Sequence, residues 1–309
     1  MRLLPFHLVY HEGYDLNLGH HVFPSQKFRL IHQRLLADGF ASPEDFVAPE
    51  PASEEDLLLV HERGWVDRLR TGKLTYEEIL LLEIPYSPEM VRAFWLAAGG
   101  TTLAGRLALD EGVSFNVGGG FHHAFPDHGE GFCAINDIAV AIRKLQQEGK
   151  ITRAMVVDCD VHHGNGTAAI FAGDKSVFTL SIHQFNNYPA RKPPSSVDVH
   201  LGDSVSDDEY LERLGAAYRF PIHGFHPDLV IYVAGADPYA EDQLGGLALT
   251  TEGLQLRDRL VIETALREKA AVAIVLAGGY AVNVEDTVTI HSNTAKMARE
   301  SLEWVGWKK

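Results

Sequence analysis

Five short runs of Val, Ile, Leu and Ala, at residues 113–117, 154–160, 177–182, 229–234 and 271–276, constrain this chain more than any other feature. They are apolar along most of their length, not only at alternate positions. A strand of that kind needs cover on both faces, as strands of a parallel sheet between helices have. The segments between them can supply that cover. Residues 135–147, 207–218, 252–269 and 284–304 read as helices, the third with Leu256 and Leu260 one turn apart. Capping boxes are expected at Ser53 with Asp56 and at Ser206 with Glu209. Strand–helix alternation predicts an α/β fold: one three-layer α/β/α domain over residues 1–309, with a mainly parallel sheet.

Composition narrows the class. At 309 residues, 46% hydrophobic and 22% charged, the chain can bury a large core. A formal net charge of −15 with no long Lys/Arg run argues against direct nucleic-acid binding and against adhesion to an anionic membrane. The first ten residues, with Pro5 and His7, lack a signal-peptide core, and no apolar stretch approaches the roughly 18 residues of a membrane span. Two cysteines, Cys133 and Cys159, imply no disulfide framework. A soluble, cytoplasmic protein is expected; oligomeric state is not legible.

Nearly every apolar run ends in chemically expensive residues. Residues 153–166 read R-A-M-V-V-D-C-D-V-H-H-G-N-G. Side-chain alternation places Asp158, Asp160 and His162 on one side, with Cys159 turned the opposite way into packing. Carboxylate oxygens with an imidazole nitrogen suit a divalent metal of the zinc, iron or manganese type. The run at 113–117 leads to G-G-G-F-H-H-A at 118–124, Ser181 and His183 close the third, Asp237 follows the fourth, and Gly278-Gly279-Tyr280 follows the fifth. Ligands of open α/β sheets sit outside the carboxyl ends of strands. Five ends supplying His, Asp and Tyr to one rim predict a site.

With G-F-C-A-I-N-D at 131–137 added, the chain closely resembles the histone deacetylase family of metal-dependent amidohydrolases over almost its whole length. Residues 84–88 (I-P-Y-S-P), Asn165, Tyr188-Pro189 and Asp242 to Gly246 look most like its class IV branch. The resemblance implies an arginase-like fold and hydrolysis of Nε-acyl-lysine. It implies one catalytic Zn2+, with Fe2+ possible, on Asp160, His162 and Asp237, activating a water. It makes His123 the general base, His122 its electrostatic partner oriented by Asp158, and Tyr280 the phenol that stabilises the oxyanion. Many members carry Asp where this chain has Asn165, so the tuning of His123 is expected to differ. A structural K+ is implied at Asp158, Ser181 and backbone carbonyls of Asp160, His162 and Ile182, and a second around Phe171, Asp174 and Val177. Gly131, Phe132 and Tyr188 match the walls of the acyl-lysine channel. Lys27 or Arg29 could reach its foot.

Other readings have distinguishing residues. Binuclear manganese arginase or agmatinase relatives carry D-x-H-x-D, whereas Gly164 stands two after His162, and Gly235 and Tyr239 flank Asp237. An acetylpolyamine deacetylase would use acidic gates, for which Glu241 and Asp242 are candidates, but Leu244 stands where polyamine-selective relatives place a glutamate. Leu244 is accordingly read as part of the substrate channel, for acyl-lysine peptide or protein and for acyl groups from acetyl to long fatty chains. A non-catalytic binding module is disfavoured by the presence of both His123 and Tyr280.

Overall fold

The computed structural model describes residues 1–307. Eight strands form one sheet: β1 (Leu8–Val9), β2 (Phe46–Val47), β3 (Val113–Asn116), β4 (Ala154–Asp158), β5 (Val177–Gln184), β6 (Val197–Leu201), β7 (Leu229–Val233) and β8 (Ala271–Val275). Their order is β2-β1-β3-β8-β7-β4-β5-β6, and every pair is parallel. The five apolar runs become β3, β4, β5, β7 and β8, and the four innermost strands are almost wholly buried.

Among the described residues, ten α-helices accompany the sheet: α1 (Lys27–Ala37), α2 (Glu54–Leu57), α3 (Arg63–Thr71), α4 (Tyr76–Leu82), α5 (Pro88–Glu111), α6 (Asp137–Gln147), α7 (Asn165–Ile170), α8 (Asp207–Phe225), α9 (Thr251–Arg267) and α10 (Val284–Val305). Strand alternation splits the interior into two cores. Val156, Ile231, Val233 and Val275 pack with Ala104 and Ala108 of α5 and Ile138, Ile142 and Leu145 of α6. Met155, Val157, Val230, Tyr232 and Ile274 face the other way, toward Val261 and Ile262 of α9 and Ala295 and Ala298 of α10. Each fully buried aliphatic side chain contributes about 1.5–3 kcal/mol. Among the described residues, no helix is long and apolar enough to cross a membrane.

Some local expectations change. Ser53 and Asp56 do form a capping box, but α2 ends at Leu57. Ser206 makes no side-chain cap; Asp207, Asp208 and Glu209 instead place three carboxylates in the first turn, where the helix dipole favours them. Helix α8 also runs on past Tyr218, through Pro221, to Phe225. Strand β4 stops at Asp158, so Asp160 and His162 belong to a loop and not to an alternating strand. Strand β5 runs to Gln184, which places Ser181 and His183 inside it.

Candidate active site

Three strand-end loops build the centre. After β4 the backbone is held by its own carboxylates: Asp160 N donates to Asp158 Oδ1 at 3.1 Å, and His162 N to Asp160 Oδ1 at 2.9 Å. This ladder brings Asp160 and His162 to one point without strand geometry. Asp237, after β7, accepts from Val161 N through Oδ1 at 2.9 Å. Gly278, after β8, donates its N–H to Asp160 Oδ2 at 2.8 Å, and a Cβ there would collide with Asp237 Oδ2. That close approach requires glycine.

One ligand atom from each of Asp160, His162 and Asp237 lies within 4.8 Å of the others, all three residues being buried. Asp237 Oδ2 makes no hydrogen bond, only a 3.3 Å approach to His162 Nδ1. Burial, then the charge of Asp160, pushes Asp237 up to about 7. Burial opposes the charged form of His162, but the two carboxylates outweigh it and raise the imidazole to about 10. Converging buried carboxylates with an imidazole nitrogen form a donor set that a divalent cation fits.

His122 and His123 stand beside this set with ring centroids 4.0 Å apart, in opposite electrostatic settings. His122 Nδ1 lies 2.7 Å from Asp158 Oδ2; burial disfavours its charge, but Asp158 and Asp160 prevail and raise it to about 9. His123 is driven well below the ordinary value by burial, then by His122 and His162. Its Nδ1 is 2.7 Å from Asn165 Oδ1, and Asn165 Nδ2 donates to Glu130 Oε1. An ionised carboxylate only accepts, so Glu130 fixes the amide's orientation. Asn165 Oδ1 then accepts a hydrogen bond from His123 Nδ1–H, leaving Nε2 with its lone pair. Glu130 also accepts from Tyr188 Oη at 3.1 Å. This carboxylate was not anticipated from the sequence; its place directly before the Gly131-Phe132 motif was the available signal.

Gly131, Phe132, Tyr188, Leu244 and Tyr280 line a channel of about 220 Å³ that ends at His123 and His162. Gly131 and Phe132 both take left-handed backbone, φ 52° and 68°, and their amides bond to Leu81 O and Leu82 O. A Cβ on Gly131 would press on Tyr188 and His123. Val22, Glu83 and Asn187 also line the channel and were missed. Glu83 brings a carboxylate to the mouth, raised by burial and by Glu130.

Asp242 is no gate. Its Oδ1 accepts from Leu244 N and Gly245 N, and its Oδ2 from Tyr280 N at 2.7 Å, so it anchors the tyrosine loop and is almost fully buried. Lys27 is buried behind Tyr280, donating to Ala277 O at 2.6 Å, whereas Arg29 bonds Gln33 on the exposed side of α1. Burial lowers Lys27 to about 8 against the pull of Asp237, Asp160 and Asp242. Arg257 of α9 is a further unanticipated support. Its guanidinium, paired with Asp258, donates to Gly235 O at 2.6 Å and Cys159 O at 3.4 Å, bracing the loops after β4 and β7. Cys159 itself is buried in the core cluster that includes Tyr210 of α8 and Val261 of α9, and burial pushes its thiol up to about 12.

The residues expected around monovalent cations lie at two places along β5. Asp158 and Ser181 are cross-strand neighbours, with Ile182 next along β5 and Ser181 Oγ 2.9 Å from His183 Nδ1. Asp174 is engaged by Ser176 and by Arg143 at 2.6 Å, and that guanidinium also lies over Phe171, with Val177 starting β5 nearby.

Residues 21–295 match the histone deacetylase domain. The chain belongs to the histone deacetylase family. It is 32% identical to histone deacetylase 2 of Arabidopsis thaliana, over 88% of this chain and 74% of that protein. It is 43% identical to an uncharacterized protein of Picosynechococcus sp., over 96% of this chain and 99% of that one. Among solved structures, the HD domain of HDA15 superposes with a TM-score of 0.77 at 25% identity, covering 94% of this chain and 87% of that one. The sheet and helices are those of the arginase/deacetylase-like α/β fold.

Proposed function

We propose that this deacetylase hydrolyses Nε-acyl-lysine in peptides or proteins. The observation that carries the reading is the meeting, at the end of one narrow channel, of a three-ligand metal set, an imidazole held neutral, and a phenol. A zinc ion held by Asp160, His162 and Asp237 supplies Lewis acidity toward a carbonyl and lowers the pKa of water; iron(II) suits the same donors. His123 Nε2 takes the proton of the attacking water and returns it to the lysine nitrogen as the C–N bond breaks. Products are a carboxylate and a free amine. Burial, then the charge of His122 held by Asp158, keeps His123 neutral beforehand. Tyr280 donates a phenol hydrogen bond to the carbonyl oxygen as charge develops there. Phe132 and Tyr188 desolvate the lysine stem. K+ at Asp158 and Ser181, and near Phe171, Asp174 and Val177, would stiffen the loop bases. Asn165 and Asp242 to Gly246 favour a place nearest the class IV branch.

A channel of about 220 Å³ suits the stem and a short acyl group. A fatty chain needs the pocket to open, for which each buried methylene would return about 0.8 kcal/mol. Acetylpolyamine is the second reading, because the carboxylate of Glu83 at the mouth could pair with a distal ammonium. Leu244 offers no such charge. The deciding comparison is kcat/KM for acetyl-lysine, decanoyl-lysine and myristoyl-lysine peptides against acetylspermidine, with zinc- and iron-loaded protein. We expect the acyl-lysine peptides to lead, with the longer chains at least matching acetyl. A preference for acetylspermidine would overturn the peptide reading, and acetyl-only activity would show that the pocket stays closed.

The amide at position 165 has its own expected signature. Neutral His123 is the working form and its pKa is depressed, so the acid limb of the kcat/KM profile should lie below about 6.5, the ordinary histidine value. Asn165→Asp adds an anion at His123 Nδ1, favours imidazolium and should move that limb to higher pH. It also faces Glu130, so Asn165→Asp combined with Glu130→Gln should give the same shift without carboxylate repulsion. An unchanged limb in both variants, with metal content intact, would mean that position 165 does not couple to the base.

A further inference from the structure

A second group of metal-type donors lies on the far side of the loop after β4, and the hydrolytic mechanism uses none of it. His162 and His163 are adjacent but send their rings to different partners. His162 faces Asp160 and Asp237, while His163 Nε2 points to Asp198 Oδ1 at 3.1 Å. Parallel pairing of β5 with β6 sets Ser181 beside Asp198 and His183 beside His200, so these side chains share one face. Ligand atoms of His163, His183 and Asp198 all lie within 4.8 Å of one another, and His200 Nδ1 is 3.0 Å from His183 Nε2. Tetrahedral bonds of 2.0–2.1 Å place ligand atoms about 3.3 Å apart, a spacing that the His163–Asp198 and His183–His200 pairs already approach; the His200 ring lies outside the 4.8 Å group and must turn to join it.

We propose that His163, His183, Asp198 and His200 form a second site, for a divalent cation of the zinc class. Three imidazoles and a carboxylate fill a tetrahedral shell, which marks the site as structural; the Asp160, His162 and Asp237 set leaves positions open for substrate. Two of the orienting bonds are already made. Ser181 Oγ, 2.9 Å from His183 Nδ1, holds that ring so that Nε2 faces the cluster, and Ser195 N fixes Asp198 Oδ2 at 2.9 Å. His163 Nδ1 is buried with no hydrogen-bond partner, so it can carry the ring proton when Nε2 takes the ion. An open concavity of about 740 Å³, lined by Phe185, Asn186, Lys192 and His200, borders the cluster at His200. The ion would tie β6 to the loop that carries His162.

The test counts zinc on untagged, chelator-stripped protein by calorimetric titration and elemental analysis. Wild type should bind two equivalents, and Asp237→Ala should keep one, which separates this site from the hydrolytic centre. His200→Ala, at an exposed position, should stay folded by circular dichroism. It should weaken only one of the two binding events, by more than the roughly 10–100-fold that loss of a supporting hydrogen bond costs. Asp198→Asn should weaken the same event. Wild type saturating at one equivalent would overturn the proposal. So would two equivalents whose affinities are unchanged in both variants.

Discussion

Asp237→Ala should take deacylation to background and release the ion of the hydrolytic centre while the protein stays folded. Asp160, His162 and Asp237 converge from two strand-end loops, and Asp237 is the member whose Oδ2 has no hydrogen-bond partner to satisfy it otherwise. Removing it leaves two protein donors where a catalytic zinc needs three. The variant also strips one acceptor from Val161 N, a cost of about 1–3 kcal/mol that a large, well-packed sheet can absorb. Elemental analysis, circular dichroism and an amine-release assay on the same preparation decide the matter. Asp237→Ala that retained the hydrolytic-centre metal and normal turnover would remove this triad from consideration.

Tyr280→Phe should separate binding from chemistry. The ring is buried among Phe23, Phe132 and Lys27, so losing only the hydroxyl leaves packing and metal content as they were. What goes is one donor aimed at the developing oxyanion, worth about 10²–10³ in kcat. KM should change far less. Equal losses in metal content and rate would recast the tyrosine as a structural support; an unaltered kcat would assign the oxyanion to another donor.

Helix α5 was not anticipated, although Ser87 caps it and Pro88 opens it. Its run of Ala, Gly and Thr is buried along much of its length, which erases the one-sided pattern that marks an amphipathic helix. Strands β1 and β2 are two residues long, too short for any periodicity, and exist because neighbouring strands offer them partners. Asp242 looked like a rim charge from its neighbours in sequence. Three backbone amides claim its oxygens instead, and only the folded loop brings them together.

By itself, the sequence determined the layer architecture, which rests on short-range pattern, and through the family resemblance it named Asp160, His162 and Asp237 as candidate ligands. Continuous apolar runs require two-sided cover, and Asp, His and Tyr at successive run ends converge wherever parallel strands share a direction. Tertiary structure alone decided the state of each charge. Lys27 sits behind Tyr280 because Ala277, 250 residues away along the chain, offers its carbonyl. Glu130 sets the Asn165 amide and through it the tautomer of His123, and His183 meets His200 only once β5 and β6 pair in register. Ionisation and hydrogen-bond direction depend on what stands within a few ångströms in space, and that is a property of the fold.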